Sequence, residues 1–271
     1  MQQALHDRTF GRIAELMYQA IGLHLSPAKK ALVSSRLAPR IQRLGLDGFD
    51  DYANLIESGQ DHGEFQVAVD LLTTNETYFF REPAHFELIE RELASRPQAP
   101  LSLWSAASSF GDEAYSCAML LLDLQQQGRI GPEWDILATD ISDRVLRSAI
   151  EAVYPAERLR HVGPQRLQRH CLRGEGDAEG LVQMRPAVRE RVRFGQLNLC
   201  APIEPLGPFD VILLRNVLIY FDAATKRQVV DRVLERLRPG GLFFIGTAEG
   251  RADSSQPLQQ LAPGAFRKPA P

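Results

Sequence analysis

Near residue 100 the hydrophobic pattern of this chain changes period, so one architecture cannot account for both parts. Before that point apolar residues recur only at helical spacing. Phe10, Ile13, Ala14, Met17 and Ile21 form one stripe, and Gly22 closes it. Ser26-Pro27 predicts an N-cap with proline in the first turn of a second helix, whose apolar face carries Leu32, Leu37, Ile41 and Leu44 and which stops at Gly45. Two shorter helices are predicted over 50–57 and 64–72. Beyond residue 100, short apolar runs at 101–105, 134–139, 192–197, 209–214 and 242–247 are separated, for the most part, by helical stretches at 113–124, 144–152 and 224–237. Strands alternating with helices build a parallel sheet with crossover helices. Such a sheet binds ligands beyond the carboxyl ends of its strands, where the chain order reverses.

The expected organisation is an all-α N-terminal domain over 1–90 followed by an α/β domain over 91–271. The alternation breaks at about 168–190, where the turn-rich stretch from Arg173 to Gly180 lies between two short apolar pieces and predicts a small antiparallel insertion. Arg238-Pro239-Gly240-Gly241 predicts a turn before the last long strand. The tail from Ser254 onward carries Pro257, Pro263, Pro269 and Pro271 and is expected to fray at its end.

A net charge of −3 gives no basic field, which argues against a nucleic-acid partner. Cys117, Cys171 and Cys200 are widely spaced and form no C-x-x-C pair, so neither a disulfide framework nor a metal site is expected. No run is apolar for the ~20 residues that span a bilayer. The first residues also lack a charged segment leading into an apolar one. A soluble, cytoplasmic, monomeric protein is expected.

The chemistry should follow the strand ends. The first strand runs into Ala106-Ala107-Ser108-Ser109-Phe110-Gly111-Asp112-Glu113, where small residues let backbone approach a ligand. This is not the G-x-G-x-x-G fingerprint of dinucleotide sites, and carboxylates at the helix start would repel a diphosphate. That excludes a nicotinamide oxidoreductase. Asp112 is read as a complement to the helix dipole and Glu113 as a ligand residue. Asp140, ending the second strand, is placed to accept hydrogen bonds from both hydroxyls of a ribose, while Ser142 or Asp143 can cap the following helix. Asn198-Leu199 after the third strand suits the edge and face of an adenine. An adenosine ligand without phosphates fits this set, and S-adenosylmethionine, with its cationic sulfonium, fits best.

Four blocks then resemble the CheR-type chemoreceptor glutamate methyltransferases: Leu72-Thr73-Thr74-Asn75-Glu76-Thr77-Tyr78-Phe79-Phe80-Arg81-Glu82, the segment 104–116, Ala138-Thr139-Asp140-Ile141, and Arg215-Asn216-Val217-Leu218-Ile219-Tyr220-Phe221. Their order and spacing cover roughly residues 10–250. The resemblance implies a helical N-terminal domain on a Rossmann-like class I S-adenosylmethionine-dependent methyltransferase fold with a small inserted antiparallel β-subdomain. It implies cofactor contacts from Asn75, Thr77, Arg81, Glu113, Asp140, Asn198, Leu199, Arg215 and Asn216, with Arg81 and Tyr220 near the reacting methyl group. Family members often carry Thr-Gly-Glu-Glu-Pro where this chain has Phe110-Gly111-Asp112-Glu113-Ala114, which weakens the case for Asp112 but not for Glu113. The implied activity is methyl transfer to receptor glutamates. The implied partner is a receptor's cytoplasmic helical bundle, and some relatives also bind the receptor's C-terminal peptide through the β-subdomain.

Lys29, Arg36, Arg40 and Arg43 fall on one face of the second helix and are read as a docking stripe for that glutamate-rich bundle. Two other readings remain at this level: a methyltransferase of another protein or of a small molecule, and a non-catalytic module that senses S-adenosylmethionine or its demethylated product and docks on receptors.

Overall fold

A computed structural model describes residues 4–59, 61–94, 99–204 and 206–270. The first three residues, which entered the leader-segment argument, and Pro271 at the tail lie outside this set.

The N-terminal part is helical: α1 (Asp7–Ile21), α2 (Lys30–Leu44), α3 (Phe49–Glu57) and α4 (His62–Leu72). Gly22 and Gly45 end the first two helices in the left-handed conformation (φ 70° and 69°), which glycine adopts without steric cost. Ser26 is extended ahead of a 3₁₀ turn at Pro27–Lys29, but its hydroxyl makes no capping bond. The buried face of α2 is Val33, Leu37, Ala38 and Ile41 rather than the expected Leu32-to-Leu44 line, and Leu44 is exposed. These residues join Ile13, Met17, Tyr52, Ile56 and Val69 in one core.

Then come α5 (Pro83–Leu93), β1 (Leu101–Ser105), α6 (Asp112–Gln126), β2 (Trp134–Asp140) and α7 (Asp143–Glu151). A side excursion follows: β3 (Val153–Pro155), a 3₁₀ turn at Ala156–Leu159, α8 (Pro164–His170), β4 (Cys171–Arg173), β5 (Leu181–Met184) and α9 (Pro186–Arg189). The chain returns through β6 (Val192–Gln196), β7 (Phe209–Leu214), α10 (Ala223–Leu234), β8 (Leu237–Ile245), β9 (Gln259–Ala262) and β10 (Ala265–Arg267).

The large sheet has the order β6-β2-β1-β7-β8-β10-β9. Its first five strands are parallel, and β10 and β9 add antiparallel. The chain moves one way from β1 to β2 and β6, then restarts on the other side with β7, so the switch point lies between β1 and β7. Both faces are covered, which is why the strands read as continuous apolar runs. Successive residues point to opposite sides. Leu103, Val211, Leu213 and Phe244 pack with Phe86 and Ile89 of α5 and Leu121 of α6, whereas Trp104, Ile212, Leu214 and Phe243 pack with Val230 and Val233 of α10. Helix α5, which spans the expected boundary at residue 90, therefore packs into the core of the α/β unit.

Three expectations change here. Arg238–Gly241 is no separate turn but lies inside β8, where the register slips between Phe209 and Val211. The tail forms the hairpin β9–β10, which buries Ala265 and Phe266 against β8. The small antiparallel sheet, of order β3-β5-β4, begins at Val153, upstream of the expected 168–190 span. Among the described residues, no helix is long and apolar enough to cross a membrane.

Asp222 fastens the helical part to the sheet part. It caps α10 by accepting from the Thr225 amide (2.8 Å) and accepts from the Tyr18 hydroxyl of α1 (2.7 Å). The Thr225 amide, and then the Tyr18 hydroxyl, hold its carboxyl down at about 2. A carboxyl with a lowered folded pKa contributes stability that is present above its ordinary value of 3.8 and lost as pH falls toward about 2. Asp222→Ala should therefore lower the Tm by about 2–4 °C at neutral pH. Thermal melts should show the gap to the wild type narrowing as pH drops below about 4.

Candidate functional site: a cleft at the switch point

The carboxyl ends of β1, β2, β6 and β7 open into a cleft. Residues 73–78 and Arg81 close one side, and Ile21 and Leu23 at the end of α1 close another. Every cofactor residue expected from the sequence lines this one cleft, together with Tyr220.

Asp140 ends β2 with its carboxylate 7% exposed. One oxygen accepts from the Ser109 amide (2.8 Å) and the other from the Ser142 amide (3.0 Å). Burial pushes its pKa up, while these amides pull it back. Ser142 itself caps α7 through the Val145 amide (3.4 Å), which frees Asp140 from that task. An ionised carboxylate has about four lone-pair sites, so acceptor capacity remains for a ligand.

Glu113 occupies the first turn of α6. Its oxygens accept from Ser105 Oγ (2.6 Å) and from Arg215 Nη1 (2.9 Å). Arg215, its side chain 2% exposed, also pairs with Glu82 (3.2 Å) and donates to the Arg81 carbonyl. It is thus a buried hub joining α6, the 72–82 segment and the end of β7. Burial raises the Glu82 carboxyl, but the Arg215 charge and the Thr247 and Asn216 donors outweigh it and hold the pKa below the usual range. Asn216, in the left-handed region (φ 58°), donates its side-chain amide to Glu82 (3.4 Å). Phe80, Glu82 and Ser109 also have positive φ (55°, 60° and 50°), so the strained backbone concentrates around the cleft.

Asn198 lines the wall, but its side chain is already engaged. It donates to the Ala20 carbonyl (2.7 Å) and accepts from the Cys200 amide (2.9 Å), tying α1 to the end of β6. Its amide braces the wall through these two bonds and keeps one further N–H and one further acceptor site, and Leu199 is buried beside it. Asp112 faces away from the cleft. It is fully buried and takes two hydrogen bonds from Arg158 (3.0 and 2.5 Å), while burial pushes its pKa up to about 6. It is an ion-pair partner and not merely a complement to the helix dipole.

At the mouth, Arg81 is half-buried and donates to the Glu76 carbonyl (3.2 Å), leaving most of its guanidinium donors uncommitted by that bond. The Tyr220 hydroxyl lies 3.4 Å from the Thr74 carbonyl, and Lys29 Nζ stands 5.6 Å from its ring centre. Burial raises the phenol's pKa, so it is a proton donor at neutral pH.

Two members of the basic stripe are committed inside the molecule. Arg36 donates to the Leu71, Leu72 and Thr73 carbonyls and to Thr74 Oγ1, terminating α4 and holding the cleft segment. Arg40 pairs with Glu64, whose side chain is 2% exposed. Lys29 and Arg43 are left as the outward members, with Arg43 exposed.

Sequence reasoning did not single out Glu82, Glu249 or Ser108. Glu82 was quoted within a motif block, but nothing in its spacing signals the distant Arg215. Glu249 lies four residues past the end of β8, and its amide-binding role depends on a turn 30 residues upstream. The Ser108 hydroxyl lines the cleft, is 1% exposed and has no hydrogen-bond partner among the described residues. An unpartnered buried hydroxyl in a cleft lining is open to a hydrogen bond from a bound molecule.

The donor set fits S-adenosylmethionine: two carboxylates for a cationic, hydroxyl-bearing molecule, small residues at Ala106 and Ala107, and a free hydroxyl. Among the described residues, no group of three or more His, Cys, Asp or Glu could hold a metal ion.

Comparison with known proteins agrees. Residues 8–73 match the family model described as CheR methyltransferase, all-alpha domain, and residues 75–263 match the CheR methyltransferase, SAM binding domain. The chain is 43% identical over 247 residues to a chemotaxis protein methyltransferase of Escherichia coli, covering 91% of this chain and 85% of that protein. It is 40% identical over 247 residues to the protein of the same description from Salmonella typhimurium, covering 91% and 85%. A third, from Klebsiella aerogenes, is 41% identical over 253 residues, covering 93% and 86%. With an all-α domain and a SAM-binding domain matched in series along most of its length, the chain belongs to the CheR methyltransferase family.

Proposed function

We propose that this chain is a protein-glutamate O-methyltransferase that esterifies glutamate side chains on the cytoplasmic helical bundles of chemoreceptors, and that it acts as a cytoplasmic monomer in chemotaxis adaptation. The observation that carries this reading is the character of the cleft mouth. The described residues lining the cleft include no histidine, lysine or cysteine, and the Tyr220 phenol is held protonated, so the site suits a nucleophile that arrives already anionic. A glutamate with a pKa of about 4.3 is such a nucleophile at neutral pH.

Bound S-adenosylmethionine supplies an electrophilic methyl group on a cationic sulfur. The chain's own task is alignment and exclusion of water, which in well-oriented systems is worth up to roughly 7–11 kcal/mol. Asp140, Glu113 and the Ser108 hydroxyl hold the donor side, with Asn75, Thr77, Leu199 and Asn216 around it. Arg81 and Tyr220 orient the incoming carboxylate by hydrogen bonds. A moderate grip serves better than a tight one, because a strongly bound nucleophile attacks more slowly. Ile21, Leu23, Leu199 and Phe221 form apolar walls.

The stripe of Lys29, just before α2, with Arg36, Arg40 and Arg43 of α2 docks the acidic bundle, with Lys29 and Arg43 making the outward contacts. Strand β4 stands at the edge of the small sheet with Leu172 exposed, and a receptor's C-terminal peptide adds there as a further strand.

The test is incubation with methyl-labelled cofactor and receptor-bearing membranes. Base-labile label on the receptor is expected, and Arg43→Glu should reduce it several-fold while cofactor affinity holds. Base-stable label would point to nitrogen methylation and overturn the proposal.

A further inference from the structure

We infer that Glu249 is a positioning residue for Tyr220, acting through the turn 216–219 and not through the cofactor. The inference rests on the reading in which Tyr220 meets the reacting groups.

Glu249 lies outside every motif block, yet its carboxylate is the fixed point of that turn. One oxygen accepts from the Asn216 amide (2.9 Å) and the Gly246 amide (2.6 Å), and the other from the Ile219 amide (3.3 Å). Both ends of the turn are thereby bonded to one side chain. Its hydrogen bonds all come from backbone amides, which stabilise the carboxylate. The fit around it is close. A Cβ at Gly246 would lie 2.4 Å from Asn216 Nδ2 and 2.9 Å from Glu249 Oε2, so a side chain there would displace the clasp. Asn216 adopts a left-handed backbone (φ 58°), a conformation asparagine accepts more readily than other non-glycine residues.

The two functional ends of this loop are fastened differently. Arg215 has its own attachments to Glu113 (2.9 Å) and Glu82 (3.2 Å), independent of Glu249. The Tyr220 side chain has a long hydrogen bond to the Thr74 carbonyl (3.4 Å) and the flank of Lys29 (5.6 Å). The Tyr220 carbonyl also accepts from the His24 amide (2.9 Å) and its ring packs on the helical core, so beyond that anchor the approach of the phenol is set by the turn that Glu249 clasps. Loosening the clasp should disturb the mouth of the cleft and reach the donor side only at Asn216, whose side chain keeps its own bond to Glu82 (3.4 Å).

Glu249→Gln keeps the size of the side chain but replaces one acceptor oxygen with an amide that confronts backbone N–H donors. In the full chain, amide exchange read by mass spectrometry is expected to accelerate at least ~10-fold in the peptide covering 216–221 and to stay unchanged elsewhere. Cofactor affinity by calorimetry should move less than about 3-fold, while kcat for receptor methylation falls about 10–100-fold with KM little altered. In a Tyr220→Phe background the same substitution should cost no more than about 2-fold, because residues that act through one another are not additive.

A fully additive double variant, or unchanged exchange in the turn, overturns the inference. So does a general loss of protection with loss of cofactor binding, which would mark Glu249 as structural. Absence of base-labile label with the wild type sinks the proposed function instead. The exchange measurement still decides whether Glu249 holds the turn.

Discussion

Arg215→Met is expected to lower the stability of the chain by about 3–5 kcal/mol, the cost typical of removing one partner from a buried ion pair. At this chain length that corresponds to a fall in Tm of roughly 10 °C. The guanidinium is almost wholly enclosed and faces two carboxylates, Glu82 and Glu113, whose side chains are 17% and 13% exposed. Methionine fills part of the volume but leaves both acids without their cation. Arg215→Lys should recover little, since one ammonium cannot reproduce a planar fork reaching Glu113, Glu82 and the Arg81 carbonyl at once. Adding Glu113→Gln to Arg215→Met should restore part of the loss by removing one stranded charge. Thermal and denaturant melts of the three variants check this. A drop below about 1 kcal/mol for Arg215→Met, the range of an exposed pair, would mean that the hub is not desolvated in solution.

Asp140→Ala should weaken cofactor binding by roughly 1–3 kcal/mol, or about 5–150-fold, with a smaller effect on global stability. Two losses add up. The ligand loses a charged acceptor, and the Ser109 and Ser142 amides that now bond to the carboxylate lose their partner. Since Ser109 sits in the turn after β1, the wall of the cleft should loosen as well. Asp140→Asn keeps an acceptor oxygen and should fall between wild type and alanine. Calorimetry with the cofactor is the direct measurement. Equal affinity for wild type and Asp140→Ala would remove this residue from the site.

The parallel strands were legible because a sheet covered on both faces needs short unbroken apolar runs, and Leu101–Ser105 and Phe209–Leu214 are such runs. The helix stops at Gly22 and Gly45 were legible for a local reason, the left-handed turn. What stayed hidden depends on partners far away in the chain. β3 is three residues long with only Tyr154 buried, too short for a period to register. The hairpin β9–β10 lies in a proline-rich tail, and its burial of Phe266 is decided by the neighbouring β8 strand. On α2, Leu32 and Val33 are both apolar, so helical spacing allows two faces, and only the packed core selects Val33. The basic stripe shows the same limit. Charge spacing gathered four cations on one helix, but Glu64 and the carbonyls at the end of α4 claim two of them. At the cleft, the strand-end rule led to Asp140 and Asn198 alike, but the brace that Asn198 makes to Ala20 of α1 could not be read from spacing.

The clasp between Arg158 and Asp112 has a mechanical consequence. Arg158 belongs to the 3₁₀ turn that leaves the small sheet, and its carbonyl also takes the Phe79 amide (3.4 Å). Asp112 is the chain neighbour of Glu113, which grips Arg215. A sideways load on the outlying sheet is therefore borne in series by Arg158, the start of α6 and the floor of the cleft. Either a doubly bonded pair in a water-poor setting gives way, or the first turn of α6 moves with the load. A leash attached to the small sheet would pull on the line that runs through Asp112 to Glu113 and Arg215 beneath the cleft.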